Sequence, residues 1–201
     1  MQGTIKKSKS ISTKSLAKIG VLAAIAYVLM FISVPLPIFP SFLKLDVSDV
    51  PAIFGGMTMG PLAGFIIALI KNLLQIGSSF TGGVGEIANA IIGGTYIVII
   101  SYAYRKRSDI KGVIIGALLG TMGMTIMGCI ANYFVVTPIY GQVFGSLDSI
   151  IAMGSALNPQ IHDLFTFVIW VYAPFNIIKA IVMTICVLPL YKKMDKILKK
   201  L

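Results

Sequence analysis

The stretch "VPAIFGGMTMGPLAGFIIALIKNLLQI", Val50 to Ile76, holds a single charge, Lys71, and a single Gly-Pro pair, Gly60-Pro61. How it is read decides the fold. As one tilted span it brings the number of membrane crossings to five. As two helices broken at Gly60-Pro61 it brings the number to six. Proline has no backbone N–H and disfavours helix in the residue before it, so a break there is the natural reading. The first piece, Ser48 to Met59, would then be about 18 Å long at 1.5 Å per residue. It cannot cross a hydrocarbon core of roughly 30 Å by itself, and must be sheltered by neighbouring helices.

Charge parity chooses between the two readings. The chain has 201 residues, of which 57% are hydrophobic and only 12% charged; its mean hydropathy is +0.92. Soluble domains carry about a quarter charged residues, so this composition belongs to the membrane class. The net charge of +10 could suggest nucleic acid, but most of the Lys and Arg lie in three clusters flanking apolar stretches. These are Lys6, Lys7, Lys9, Lys14 and Lys18; Arg105, Lys106, Arg107 and Lys111; and Lys192, Lys193, Lys196, Lys199 and Lys200. That distribution is the positive-inside pattern, and it excludes nucleic acid as the partner. Four long apolar stretches are plain: Leu16–Val34, Ile87–Tyr104, Gly112–Val136 and Phe165–Tyr191. With the break at Gly60-Pro61, all three basic clusters face one side. The expectation is one all-α membrane domain over residues 1–201, with six transmembrane helices, a short second helix and both termini cytoplasmic. Basic tails occupy 1–15 and 192–201. The first apolar stretch is long and lacks a small-residue cleavage site, which argues against a signal peptide.

On that topology the segment 35–47 is an extracytoplasmic loop, stiffened by Pro35, Pro37 and Pro40. It runs into "FLKLDVSDVPAIFGG", which places Lys44, Asp46 and Asp49 between two apolar regions. Asp46 or Ser48 is expected to cap the short helix, with Pro51 in its first turn and the charges solvated at little cost.

Polar residues inside the spans carry the functional signal, because charges there are rare and face the bundle interior. Lys179 lies twelve residues before Tyr191, about 18 Å above the inner end of its helix and too deep to snorkel. Asn176 shares its face one turn away, with Tyr172 and Phe175 beside them. Pro174 is expected to kink this helix. Asn132 and Tyr133 sit near the outer end of the preceding helix, while Lys71, Asn72, Glu86 and Asn89 flank the turn "QIGSSFTGGVG". Amides supply donors and acceptors and an ammonium supplies donors only, a set that suits a flat heterocycle with carbonyl and ring-nitrogen acceptors. The alternative for Lys179 is an ion pair with Glu86 that fixes packing. No phosphate-cradling loop, HExxH, GxSxG or Cys/His cluster is present, so an enzymatic role has no visible carrier.

From "LKLDVSDVPAIFGGMTMGPLAGFIIALIKNLL" through "GEIANAIIGGTYI", Asn132 and "FNIIKAI", nearly the whole chain resembles the riboflavin-specific substrate-binding subunits of energy-coupling factor (ECF) vitamin transporters. The resemblance implies a cell-membrane protein that holds riboflavin as cargo, with no resident cofactor and no metal. Its partners would be a transmembrane coupling protein and two ATPases. It further implies that Asn132, Asn176 and Lys179 hold the vitamin, with Leu43, Lys44, Leu45 and Asp46 as the capping segment. Asn72, Glu86, Asn89 and Tyr172 are further pocket candidates. The family docks its partner through small residues on the first helix; in "KIGVLAAIA" these map onto Gly20 and Ala24, with Gly standing in place of one Ala. The competing readings are a binder of another vitamin on the same scaffold, or a self-sufficient secondary transporter. The latter tends to show paired broken helices, and only one Gly-Pro break occurs here.

The topology has a direct check. A cysteine placed at Ser78 should react with an impermeant thiol reagent added outside intact cells, and one placed at Arg107 should not. Labelling at Arg107 would restore five crossings.

Overall fold

The structure, a computed structural model, describes residues 13–198. Residues 1–12 of the N-terminal tail and 199–201 of the C-terminal tail lie outside the described residues. Helix α1 (Thr13–Met30) buries Ile19, Ala23 and Ala26, while Gly20 and Ala24 stand exposed on its other side. The chain then forms a small hairpin, with β1 (Val34–Pro35) antiparallel to β2 (Lys44–Leu45) and Val34 opposite Leu45. The Pro-rich segment is thus folded back on itself. Aromatic contacts pin it to the bundle: Phe39 packs edge-on against Phe175 at 5.4 Å, and Phe42 against Tyr140 at 5.3 Å and Phe144 at 5.9 Å.

The break at Gly60 is present. Helix α2 (Asp49–Met59) stops at Gly60, and α3 (Pro61–Gln75) starts at the next residue. Gly60 has φ 119°, a left-handed conformation that side chains with a Cβ resist, so the pair Gly60-Pro61 both stops one helix and starts the next. Helix α2 is too short to span but is sheltered: Ala52, Ile53 and Met57 are almost wholly buried. Among the described residues, five helical stretches are long and apolar enough to cross a membrane: Thr13–Met30, Pro61–Ser78, Val84–Lys106, Ile110–Val143 and Leu164–Tyr191.

Helix α4 (Val84–Lys106) runs through the middle, packed on α2, α3 and most extensively on α5 (Ile110–Ala131). Tyr96 on α4 hydrogen-bonds Thr184 on α9 (Ala173–Leu198) at 2.7 Å, closing the bundle below the polar region.

The last two long stretches are not uniformly α-helical. A π-helical turn at Asn132–Val136 joins α5 to α6 (Thr137–Val143). A second, at Val168–Tyr172, joins α8 (Leu164–Phe167) to α9. Each is followed one residue later by an X-Pro step, Pro138 and Pro174. Proline cannot give the N–H that the carbonyl four residues earlier would take, and a wider turn re-routes that bonding. The irregularity expected at Pro174 therefore lies just before it, as a widened turn. Between these stretches α7 (Leu147–Ser155) is tucked over the same end of the bundle by Ile150 and Gly154.

Candidate functional site

The polar residues singled out in the sequence gather at the hairpin end of the bundle, around a cavity of about 220 Å³. Leu43, Lys44 and Asp46 line it from the hairpin. Asn72 comes from α3, Glu86 and Asn89 from α4, Asn132 from the first π-turn, and Tyr172, Asn176 and Lys179 from the second π-turn and α9. Leu45, half-buried on β2, is not among the residues that line the cavity. Gly20 and Ala24 on α1 lie away from it.

Behind the cavity wall lies a closed ring of charges. Lys71 Nζ is 2.6 Å from Asp49 Oδ1, and both side chains are fully buried. Lys179 Nζ is 3.3 Å from Asp49 Oδ2 and 3.7 Å from Asp46 Oδ2. Lys71 also donates to Ser48 Oγ, and the Ser48 hydroxyl donates to Asp46 Oδ1, which closes the ring. Ser48 N–H adds a bond to the same oxygen at 2.8 Å. Lys179 donates further to Asn89 Oδ1 at 2.6 Å, and Asn89 donates to Asn72 Oδ1 at 2.9 Å. Asp49 fits against α4 because position 93 is glycine: a Cβ there would lie 3.1 Å from Asp49 Oδ2.

Two expectations change, and one alternative is removed. Asp46 and Asp49 are not solvated loop charges; they are 9% and 0% exposed, and only Lys44 is exposed as expected. Neither Asp46 nor Ser48 caps α2 through a side-chain bond, because the Ser48 hydroxyl is committed to Asp46 and Lys71 to Ser48. The alternative of a Lys179–Glu86 ion pair also falls. Lys179 pairs with Asp46, Asp49 and Asn89, while Glu86 accepts from Ser79 at 2.7 Å and Thr81 at 3.2 Å. The sequence signal for the true partners was the D-x-S-D spacing, read there as a cap.

Burial opposes the charge of Asp46, but the Lys179 and Lys71 ammoniums and the two Ser48 bonds outweigh it and hold the carboxyl at about 2, below its ordinary 3.8. A carboxyl depressed in this way contributes its stability in full above 3.8 and loses it as pH falls through about 2. Asp46 therefore remains charged at every pH near neutrality. The two carboxylates and two ammoniums of the ring sum to no net charge.

The amides differ in what they leave free. Asn72 Nδ2 is bonded to Ala68 O at 2.7 Å and its oxygen to Asn89, so Asn72 serves the scaffold. Asn132 Nδ2 bonds Gly128 O at 2.7 Å, leaving its side-chain oxygen on the cavity. Asn176 is 5% exposed and has no hydrogen-bond partner among the described residues. Its side chain fits because residue 128 is glycine; a Cβ there would collide with Asn176 Nδ2. The apolar walls, Ile92 and Met124, were not singled out in the sequence, where an Ile or a Met on an apolar helix carries no distinguishing mark.

A cavity with apolar walls, one unpartnered amide, one free amide oxygen and an ammonium has the chemistry to suit a small polar-edged molecule, set in a membrane helix bundle. Residues 14–191 match the family described as ECF transporter, substrate-specific component. The chain belongs to that family, and is thus a membrane transport component, not an enzyme. It is 38% identical over 188 residues to a riboflavin transporter RibU of Staphylococcus aureus (strain TCH60), covering 94% of each chain. It is 39% identical over 177 residues to a riboflavin transporter FmnP of Bacillus subtilis (strain 168), covering 86% of this chain and 87% of that one. A solved S component of a bacterial ECF transporter superposes with a TM-score of 0.73 at 38% identity, covering 92% of this chain and 98% of that chain.

The ring predicts that Lys179 is structural as well as exposed to ligand. Lys179→Met should leave two buried carboxylates to share the Lys71 ammonium and cost about 3–5 kcal/mol. This would be read as a lower thermal unfolding temperature of the ligand-free protein in detergent. Glu86→Gln should give no rescue. An unchanged unfolding temperature would mean that the carboxylates do not depend on Lys179.

Proposed function

We propose that this chain is the riboflavin-binding subunit of an ECF-type transporter in the cell membrane. The reading places six crossings over a single domain spanning residues 1–201, with both termini cytoplasmic and the cavity in the extracytoplasmic half. Riboflavin is the cargo, and no resident cofactor takes part. The observation that supports this most is the unpartnered amide of Asn176 beside the free oxygen of Asn132 and the Lys179 ammonium, in one buried cavity. A flavin ring carries two carbonyls, ring-nitrogen acceptors and one imide N–H along an edge. An amide that can give and accept meets such an edge, and an ammonium adds a donor. Ile92, Met124 and Phe175 offer apolar faces to the ring. The vitamin is neutral, which agrees with a charge ring that sums to zero. The hairpin residues Leu43, Lys44 and Asp46 close over it, with Leu45 beside them in the same strand. Glu86, Asn89 and Tyr172 shape the wall.

Uptake then depends on a membrane coupling protein and two ATPases, which this subunit meets through the exposed Gly20–Ala24 side of α1. Small residues there let another helix approach closely.

Two experiments follow. Asn176→Ala removes the amide without stranding any protein group. It should weaken riboflavin binding by about five- to 150-fold, the effect of roughly 1–3 kcal/mol, with the ligand-free unfolding temperature unchanged. Flavin fluorescence quenching in detergent measures it, and wild-type affinity would refute the site. Gly20→Trp or Ala24→Trp should abolish uptake in cells while purified protein still binds riboflavin. Loss of binding in both would mean that α1 serves the cavity and not a partner.

A further inference from the structure

Two members of the charge ring, Asp49 and Lys71, do not line the cavity. Lys71, on α3, is 0% exposed and absent from the cavity wall, yet it contacts both arms of the ring that do reach it. One arm runs from Lys71 through Ser48 to Asp46 of the hairpin. The other runs through Asp49, 2.6 Å away, to Lys179. Building on the riboflavin reading above, we infer that Lys71 is a positioning residue for the ligand: it balances Asp49, so that the Lys179 ammonium keeps one donor for the cavity.

The geometry of Lys179 supports this. An ammonium has three donors. Asn89 Oδ1 takes one at 2.6 Å, and Asp49 Oδ2 lies within reach of the second at 3.3 Å. The third faces Asp46 Oδ2 at 3.7 Å, beyond a good hydrogen bond, and Asp46 lines the cavity. That third donor is the one a ligand carbonyl can take. Among the described residues Asp49 has two cationic partners, Lys71 and Lys179. Without Lys71, two buried carboxylates would share one ammonium. Asp49 would then draw Lys179 toward α2 and away from the cavity, and the surplus negative charge would oppose the partial negative charge of a carbonyl. Ser48 would also lose the donor that orients its hydroxyl toward Asp46.

Charge balance can be tested by removing it and then restoring it. Lys71→Met keeps the length of the side chain and leaves the ring one negative charge in excess. Riboflavin titrated into the detergent-solubilised variant should bind at least about tenfold more weakly than to wild type. Adding Asp49→Asn removes the surplus charge while leaving an acceptor for Lys179. The double variant should return to within about threefold of wild type, a non-additivity that a packing role would not produce. If Lys71 merely holds α3 in place, both variants lose ligand-free stability and the second substitution restores nothing. Near-wild-type binding in Lys71→Met, or a double variant no better than the single one, overturns the inference. Should Lys71→Met fail to purify as folded protein, the double variant decides alone. Binding within threefold of wild type then supports the inference, and a loss of tenfold or more overturns it. Wild-type protein that does not bind riboflavin overturns the functional reading itself, an outcome distinct from wild-type binding with no effect of the variants.

Discussion

Four charges buried together, Asp46, Asp49, Lys71 and Lys179, constrain everything around them. Taking any one of them out of water costs several kcal/mol, and only close pairing offsets it. The pairing cannot be local, because the four side chains come from the hairpin, the start of α2, α3 and α9. Helices that could otherwise slide along one another in an apolar medium are therefore held in one register. Hydrophobic burial gives little such specificity here, since lipid and protein interior are about equally apolar. The ring does what apolar packing cannot: it sets which helix ends meet, and it seats the hairpin over them.

The irregular backbone follows from the same demand. A short α2 brings Ser48 and Asp49 down into the bundle, whereas a full-length helix would carry them to the surface. Its missing length is tolerated because neighbouring helices cover its exposed ends. The two π-turns, each ahead of an X-Pro step, lie at the level of the cavity and carry Asn132 and Tyr172. A π-turn inserts a residue and rotates the helix beyond it, so these turns decide which side chains face inward. Thr137 and Tyr172, bonded at 3.1 Å, tie the two irregular stretches together.

Neutrality and free amides divide the work of the site. The charged groups are largely spent on one another, and Asn72 and Asn89 extend their network. Among the groups left facing the cavity are the Asn176 amide, the Asn132 oxygen and the Lys179 ammonium. A site of this kind binds an uncharged molecule by hydrogen bonds along one edge and apolar contact on its faces. Charge attraction adds little, in keeping with a cargo that carries no charge.

Much of this was legible in the chain itself. The Gly60-Pro61 break, the long apolar stretches, and the gathering of Asn132, Asn176 and Lys179 at one depth all follow from helix rise, proline chemistry and the cost of polar groups among apolar ones. Those rules act over a few residues or along one axis, and a sequence records both. The partners of Lys179 were not legible. Glu86 and Asp49 are equally acidic in the sequence and lie at similar depth, and only the azimuth of each helix decides which reaches the ammonium. That azimuth depends on the close seat at Gly93, on the hairpin turning Asp46 inward, and on two widened turns whose rotations add up over distance. Pairing across helices is set by all of these contacts at once, so the identity of the ring had to wait for the tertiary structure.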